Sequence, residues 1–277
     1  MLVADASIVA VRGWELACVA AWLGGFALVR RYGASKYLLG LFCGSSLLAM
    51  WDWITNDVWL WNITADERFF DLFTVAGRTE VVWAPFSYGF FYAIPTVLAL
   101  RHRAVLDRTV GRWQYVLVPA ALGFSDILIE GISVGWLGLY DFAYRESYEW
   151  WGVPWTNIVF IAVSQVPIMV LARRVADLCE LAGLPTVGDA RSRAAVPASG
   201  DAASGDAASG DAAAAGPPAG AGAGATATIV APAPAGVSSR TREWLPFWAT
   251  LMICPTGLYV AAWFSALLLE RLDPFLH

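Results

Sequence analysis

The sequence predicts an all-α fold, a polytopic transmembrane helix bundle of about six spans with both termini on the non-cytoplasmic side. Three observations predict it: an unusually apolar composition, a succession of apolar runs of membrane-crossing length, and basic residues gathered into alternate loops. Of 277 residues, 58% are hydrophobic and 15% charged, and the mean hydropathy is +0.56. Soluble domains average about 45–50% apolar and about 25% charged residues, so lipid is the expected solvent.

A helix needs about 20 mainly apolar residues to cross about 30 Å of hydrocarbon. Stretches 11–29, 37–55, 81–100, 114–136, 151–172 and 245–269 meet that requirement. The first is expected to stay in the mature chain, because Arg30 and Arg31 follow its apolar run instead of preceding it. Loops after the first, third and fifth stretches carry Arg30, Arg31 and Lys36, then Arg101, Arg103, Arg108 and Arg112, then Arg173, Arg174, Arg191, Arg193, Arg240 and Arg242. These account for most of the 18 basic residues, and positive loops face the cytoplasm. The expected location is the cell (plasma) membrane.

Residues 188–240 have a different composition. They repeat Ala, Ser, Gly and Asp, then run through Ala, Gly and Pro with almost no bulky side chains. Such a segment buries too little apolar surface to offset its ordering entropy, and it reads as a cytosolic linker. The predicted organisation is a bundle of five helices over 1–187, the linker over 188–240, and a sixth helix within 241–277 packing on the same bundle. Residues 174–186 are expected to form a short interfacial helix ahead of the linker.

Several chemistries lack their residues. Four cysteines, Cys18, Cys43, Cys179 and Cys254, contain no CxxC pair and read as packing residues. Two histidines, His102 and His277, are too few for a multi-histidine metal site. No GxxxxGK[ST] loop is present to cradle a nucleotide phosphate. Nothing points to nucleic acid; the expected partners are the bilayer and a hydrophobic substrate.

Ionisable groups inside spans are costly and mark functional candidates. Asp126 sits near the middle of the fourth stretch, and Glu130 four residues on shares its helix face. Two close carboxyls compete for ionisation, so one can act as acid while the other acts as base. At similar depth lie Asp52, Asn157 and Glu15, the last near enough to the boundary to snorkel. Asp57 and Glu80 fall closer to the outer interface.

Of the 15 tryptophans, Trp51, Trp53, Trp59, Trp61, Trp83, Trp136, Trp150, Trp151 and Trp155 crowd one half of the bundle. An interfacial aromatic belt explains many of them. A one-sided belt at the level of the carboxyls also suits a reaction through a carbocation, which ring faces stabilise by about 0.5–2 kcal/mol each. The expected cavity wall therefore includes Trp51, Trp136, Trp151, Trp155 and Tyr88, with Asn157 binding substrate beside them.

Two tracts resemble known families. Ser125-Asp126-Ile127-Leu128-Ile129-Glu130, followed by Trp151-Gly152-Val153-Pro154-Trp155-Thr156-Asn157, resembles the membrane carotenoid hydratase type, and the resemblance implies Asp126 and Asn157 in the site. Cys43 through Trp53 is similar to the small membrane-bound terpene cyclases, with Trp51-Asp52 where those proteins carry Trp-Glu. That resemblance implies Asp52 as a proton donor. Both families protonate an alkene and then direct the cation, to water or to an internal double bond. The expected function is protonation of an isoprenoid or polyene lipid without metal or organic cofactor. Asp126 and Glu130 form the acid and its partner, and Asp52 is the alternative acid. A proton-coupled transporter and a non-catalytic adaptor use the same features differently.

Overall fold

The structure, a computed structural model, describes residues 6–31, 36–50, 63–75, 77–142, 149–186 and 238–276. It is mostly helical. Helix α1 spans Ile8–Arg31, α2 Lys36–Ser46, α3 Trp83–Phe91, α4 Ala93–Arg101, α5 Arg103–Thr109, α6 Gln114–Glu130, α7 Trp155–Leu181, α8 Ser239–Leu251 and α9 Ile253–Leu276. Among the described residues, four helical stretches are long and apolar enough to cross a membrane: Ile8–Arg31, Gly111–Trp136, Trp155–Leu181 and Arg240–Phe264. A shorter apolar helix covers Lys36–Met50.

Prolines set the interruptions. Between α3 and α4 only Tyr92 leaves the helical pattern, and its N–H still reaches the Tyr88 carbonyl at 3.2 Å. Pro95 supplies the cause: it has no N–H for the Phe91 carbonyl one turn earlier, and its ring crowds that carbonyl. The same arrangement recurs between α8 and α9, where Pro255 follows the break at Met252 and cannot donate to the Leu251 carbonyl.

That carbonyl lies against α2. A methyl group placed on Gly44 would collide with the Leu251 carbonyl, and one on Gly40 with the Phe247 carbonyl and the Thr250 hydroxyl. Two glycines four apart thus let α8 approach α2 backbone to backbone, the packing that replaces hydrophobic attraction between helices in lipid. Thr250 Oγ1 completes the contact by donating to the Tyr37 carbonyl at 2.9 Å. On the other side of α2, Ser45 donates to the Gly89 carbonyl of α3 at 3.0 Å, and Trp22 of α1 donates to Ser46 at 2.9 Å. Helix α2 is accordingly the centre of the bundle, with Tyr37, Leu38, Leu41 and Phe42 wholly buried. The Tyr37 hydroxyl donates to the Ala172 carbonyl of α7, and Gly257 of α9 packs on Ile168 of α7.

The all-α expectation holds for the long elements and fails in the loops. Strands β1 (Ile63–Ala65) and β4 (Tyr140–Phe142) pair antiparallel, with Ile63 opposite Phe142 and Ala65 opposite Tyr140. Strands β2 (Asp71–Val75) and β3 (Arg78–Val81) form a hairpin, as do β5 (Glu149–Trp150) and β6 (Val153–Pro154). Val81, expected to open a span, instead closes β3. Trp151, expected to open the fifth span, is a turn residue, and α7 begins at Trp155. The interfacial helix expected over 174–186 is for the most part a continuation of α7, which runs unbroken to Leu181. The linker assigned to 188–240 lies, but for its last three residues, outside the described residues.

Replacing Gly40 or Gly44 by Val should separate α8 from α2. Unfolding of the purified protein in detergent is expected to show a loss of about 1–3 kcal/mol for each. Gly24→Ala, which meets nothing within 4 Å, should be neutral or gain up to about 1 kcal/mol.

Candidate functional site

The end of α6 does not stop at Glu130 but widens into a π-helical turn, Gly131–Trp136, where Leu137 N bonds the Ile132 carbonyl at 2.9 Å. Such turns add a residue to the coil and redirect the side chains around them. Here the turn brings Ser133 within 2.9 Å of the Tyr140 hydroxyl, to which it donates.

The turn is held from outside by Trp151. In the β5–β6 hairpin the two loop residues, Trp151 and Gly152, both have positive φ, +52° and +79°. That is the geometry of a type I′ turn, which twists with the strands. For a tryptophan it costs about 1–3 kcal/mol. Its ring packs on Gly131 and its own backbone and Cβ on Gly135, in space that a methyl group on either glycine would fill.

With the chain turned in this way, Pro154 caps the start of α7 and Asn157 falls in its first turn. Asn157 is 3% exposed, and its Nδ2 donates to Glu130 Oε2 at 2.6 Å. One helical turn deeper, Asp126 is 2% exposed, and its Oδ2 is buried with no hydrogen-bond partner among the described residues. The two carboxyls thus share a helix face, as their spacing requires, but differ in supply of donors.

Both carboxyls line a cavity of about 700 Å³, within the range of small-molecule sites. Its walls come from α1, α3, α6 and α7, and its outer end from the strands β1 to β4. Trp14, Trp83 and Tyr140 form one aromatic wall. Trp14 meets Trp83 edge to face at 6.0 Å between centroids, and Trp83 stacks on Tyr140 at 5.7 Å. The β1–β4 pairing carries Tyr140 to this position. Burial, and then the neighbouring Glu130 carboxyl, hold the Tyr140 phenol well above its ordinary pKa, so it stays protonated across the working pH range. The indole Nε1 atoms of Trp14 and Trp83 are buried, with no hydrogen-bond partner among the described residues.

The strand end is fastened to α1. Glu15 Oε1 accepts from the Phe70 N–H at 2.9 Å, Arg12 Nη2 donates to the Arg68 carbonyl at 2.9 Å, and the Arg12 guanidinium lies 3.7 Å above the Phe70 ring. Glu15 therefore holds a loop in place, with Arg12 as its ion-pair partner.

Of the residues singled out from sequence, Asp126, Glu130 and Tyr88 line the cavity, and Asn157 supports it through Glu130. Trp136, Trp151 and Trp155 do not line it. They are 83%, 62% and 49% exposed, as expected of an interfacial belt at the ends of α6 and α7. Trp51 and Asp52 lie outside the described residues. The sequence reading passed over Trp14 and Tyr140. Trp14 had a signal: with Ala17, Cys18 and Ala21 it forms a helical stripe in which small residues leave room before a large ring. Tyr140 had none, because its place depends on pairing with a strand 75 residues away in sequence. Among the described residues no three His, Cys, Asp or Glu side chains come together to hold a metal.

Comparison with protein families, curated proteins and solved structures yields no match.

Two predictions follow from the geometry around the mouth and the α6–α7 junction. Asp66 is held below the ordinary carboxylate value by its hydrogen bond with the Arg68 side chain. A carboxyl depressed in the folded state contributes stability that is complete above its unfolded value, near pH 4, and is lost as pH falls through the folded value. Thermal melts from pH 6 down to pH 3 should show a shallower acid decline for Asp66→Asn than for the wild type. Asn157→Leu removes a donor to half-buried Glu130 and should cost about 1–3 kcal/mol, read by the same melts, whereas Trp136→Phe at the exposed rim should change stability by no more than about 0.5 kcal/mol.

Proposed function

We propose that this chain is an integral membrane enzyme that protonates an isoprenoid or polyene lipid. The observation that carries the reading is the carboxyl pair Asp126 and Glu130 facing a cavity walled by Trp14, Trp83 and Tyr140. In this reading Asp126, which lines the cavity, delivers the proton to a double bond. Glu130, fixed by the Asn157 amide, is the partner that takes a proton back when the cation collapses. The cation forming between these events lies against ring faces, which attract positive charge and do not add to it. Quenching by an internal double bond gives cyclisation; quenching by water gives hydration. Asp52 is kept as the alternative acid.

The same proposal places six spans in the plasma membrane with both termini outside. It is supported by the partners of the basic residues. Arg103 bonds Asp177 and Glu180, Arg173 pairs with Asp107, and Lys36 lies 3.8 Å from Glu243. Residues of α2, α5, α7 and α8 therefore meet in one basic layer, the end that should face the cytoplasm. The carboxyl site is at the opposite end, and in this reading α1, α2, α3 with α4, α6, α7, and α8 with α9 are the six spans that join the two layers.

Expression of the wild type, Asp126→Asn, Glu130→Gln and Asp52→Asn in a host making squalene-like, carotenoid and prenylated lipids tests the proposal by mass spectrometry of extracts. A new lipid is expected from the wild type, with unchanged mass for cyclisation or a gain of one water for hydration. Asp126→Asn should reduce it at least about 100-fold, the scale of general acid catalysis. Profiles identical to the empty vector, with membrane expression confirmed, would overturn the reading in favour of proton-coupled transport.

A further inference from the structure

Helix α1 turns one stripe of side chains outward. Val9, Leu16 and Leu23 are all exposed, and their spacing of seven puts them on one face, the face that meets lipid on a helix of membrane-crossing length. Arg12 belongs to the same face, one turn after Val9 and one turn before Leu16. At the far end of α1 stand Arg30 and Arg31, both exposed. Arg12 and Arg31 are nineteen residues apart, about 28 Å along the axis at about 1.5 Å per residue, which is close to the thickness of bilayer hydrocarbon. The two guanidiniums therefore bracket the apolar layer, and Arg12 stands at headgroup level in the leaflet on the carboxyl side of the bundle.

The β2–β3 hairpin is fastened to α1 at that level. The Arg12 guanidinium lies 3.7 Å over the Phe70 ring, and the Phe70 N–H donates to Glu15 Oε1 at 2.9 Å. The Phe70 carbonyl accepts from the Val82 N–H at 2.8 Å, which ties the start of β2 to the end of β3. Asp71, Phe73 and Val75 of β2 line the cavity. Between Asp71 and Phe73 the register slips, so Leu72 is the extra residue of a bulge, a device that re-aims a side chain. Leu72 and Phe70 are both exposed. Neighbouring large apolar side chains left open in this way mark a surface that meets a partner. Through Arg12 and Phe70 this edge is continuous with the lipid-facing stripe of α1, and the partner that already covers that stripe is the bilayer.

We infer that this edge of the hairpin sits in the membrane. Phe70 and Leu72 enter the boundary between headgroups and acyl chains beside α1, and the strand that carries them is the partition between that leaflet and the cavity. Arg12 fixes the depth: its charge stays with the headgroups while the Phe70 ring beneath it covers its apolar face. This holds whatever chemistry the carboxyls perform.

The contact can be read in the full chain reconstituted in phosphatidylcholine vesicles. Leu72→Cys and, separately, Phe70→Cys are labelled with the fluorophore NBD, and the signal of identically treated wild type is subtracted to remove the native cysteines. Phosphatidylcholine with a nitroxide near the top of its acyl chain is expected to quench either label about twofold or more better than phosphatidylcholine with the nitroxide near the chain end, and iodide in the water should quench about fivefold less than it quenches NBD on free cysteine, as for a group about 5–10 Å into the boundary. Leu16→Cys, about 6 Å further along α1 from Arg12, should shift the preference toward the deeper nitroxide. In the wild type, with no substitution to disturb folding, phosphatidylcholine bearing a diazirine on its acyl chain should couple on irradiation to the peptide that contains Phe70 and Leu72, found by mass spectrometry. Full quenching by iodide with none by either nitroxide overturns the inference and leaves the edge in water. Protection from both quenchers, with the wild-type peptide uncoupled, overturns it too and assigns the edge to a protein contact such as a second copy of the chain.

Discussion

The hydrogen bond from the Asn157 amide to the Glu130 carboxyl joins the end of α6 to the beginning of α7, and the site end of the bundle is arranged around it. Glu130 is half-buried, and a carboxyl drawn partly out of water needs a donor, which the Asn157 amide supplies. Meeting that demand dictates the chain between the two helices. Residues 131–136 widen into a π-helical turn, and the hairpin at Trp151 and Gly152 reverses the chain so that the first turn of α7 faces Glu130. The unfavourable backbone of Trp151 is stabilised by the contacts it makes with Gly131 and Gly135.

The bundle below this junction is rigid by close backbone approach. Gly40 and Gly44 of α2 lie on carbonyls of α8, Gly89 of α3 on Trp22, and Gly257 of α9 on α7. In lipid such contacts replace the hydrophobic effect as the means of association. Prolines place the freed carbonyls where this packing uses them: Pro255 leaves the Leu251 carbonyl without its helical donor, and that oxygen faces Gly44.

The tryptophans serve two separate purposes. Trp136, Trp150, Trp151 and Trp155 are largely exposed and mark the outer rim of α6 and α7, where indole rings suit the boundary between hydrocarbon and water. Trp14 and Trp83 turn inward with Tyr140 and supply the electron-rich wall that the carboxyl pair faces. Composition alone cannot separate the two groups, since both lie at similar depth.

What the sequence by itself determined is what depends on residues near one another in the chain. The apolar runs of α1, α6, α7 and the last helices follow from counting, and the shared face of Asp126 and Glu130 follows from helical period. Asn157 was expected inside a span opening at Trp151, whereas α7 begins at Trp155 and holds Asn157 in its first turn. The tertiary structure alone decided which aromatics meet the carboxyls. Tyr140 reaches the cavity through the β1–β4 pairing, Trp14 through the packing of α1 on α3, and Trp151 leaves the wall because its turn has positive φ. Those placements arise from pairings between distant segments and from backbone geometry that a short sequence window does not encode. The unpartnered state of the two indoles and of Asp126 belongs to this second class, since whether a polar group is satisfied depends on every element that surrounds it.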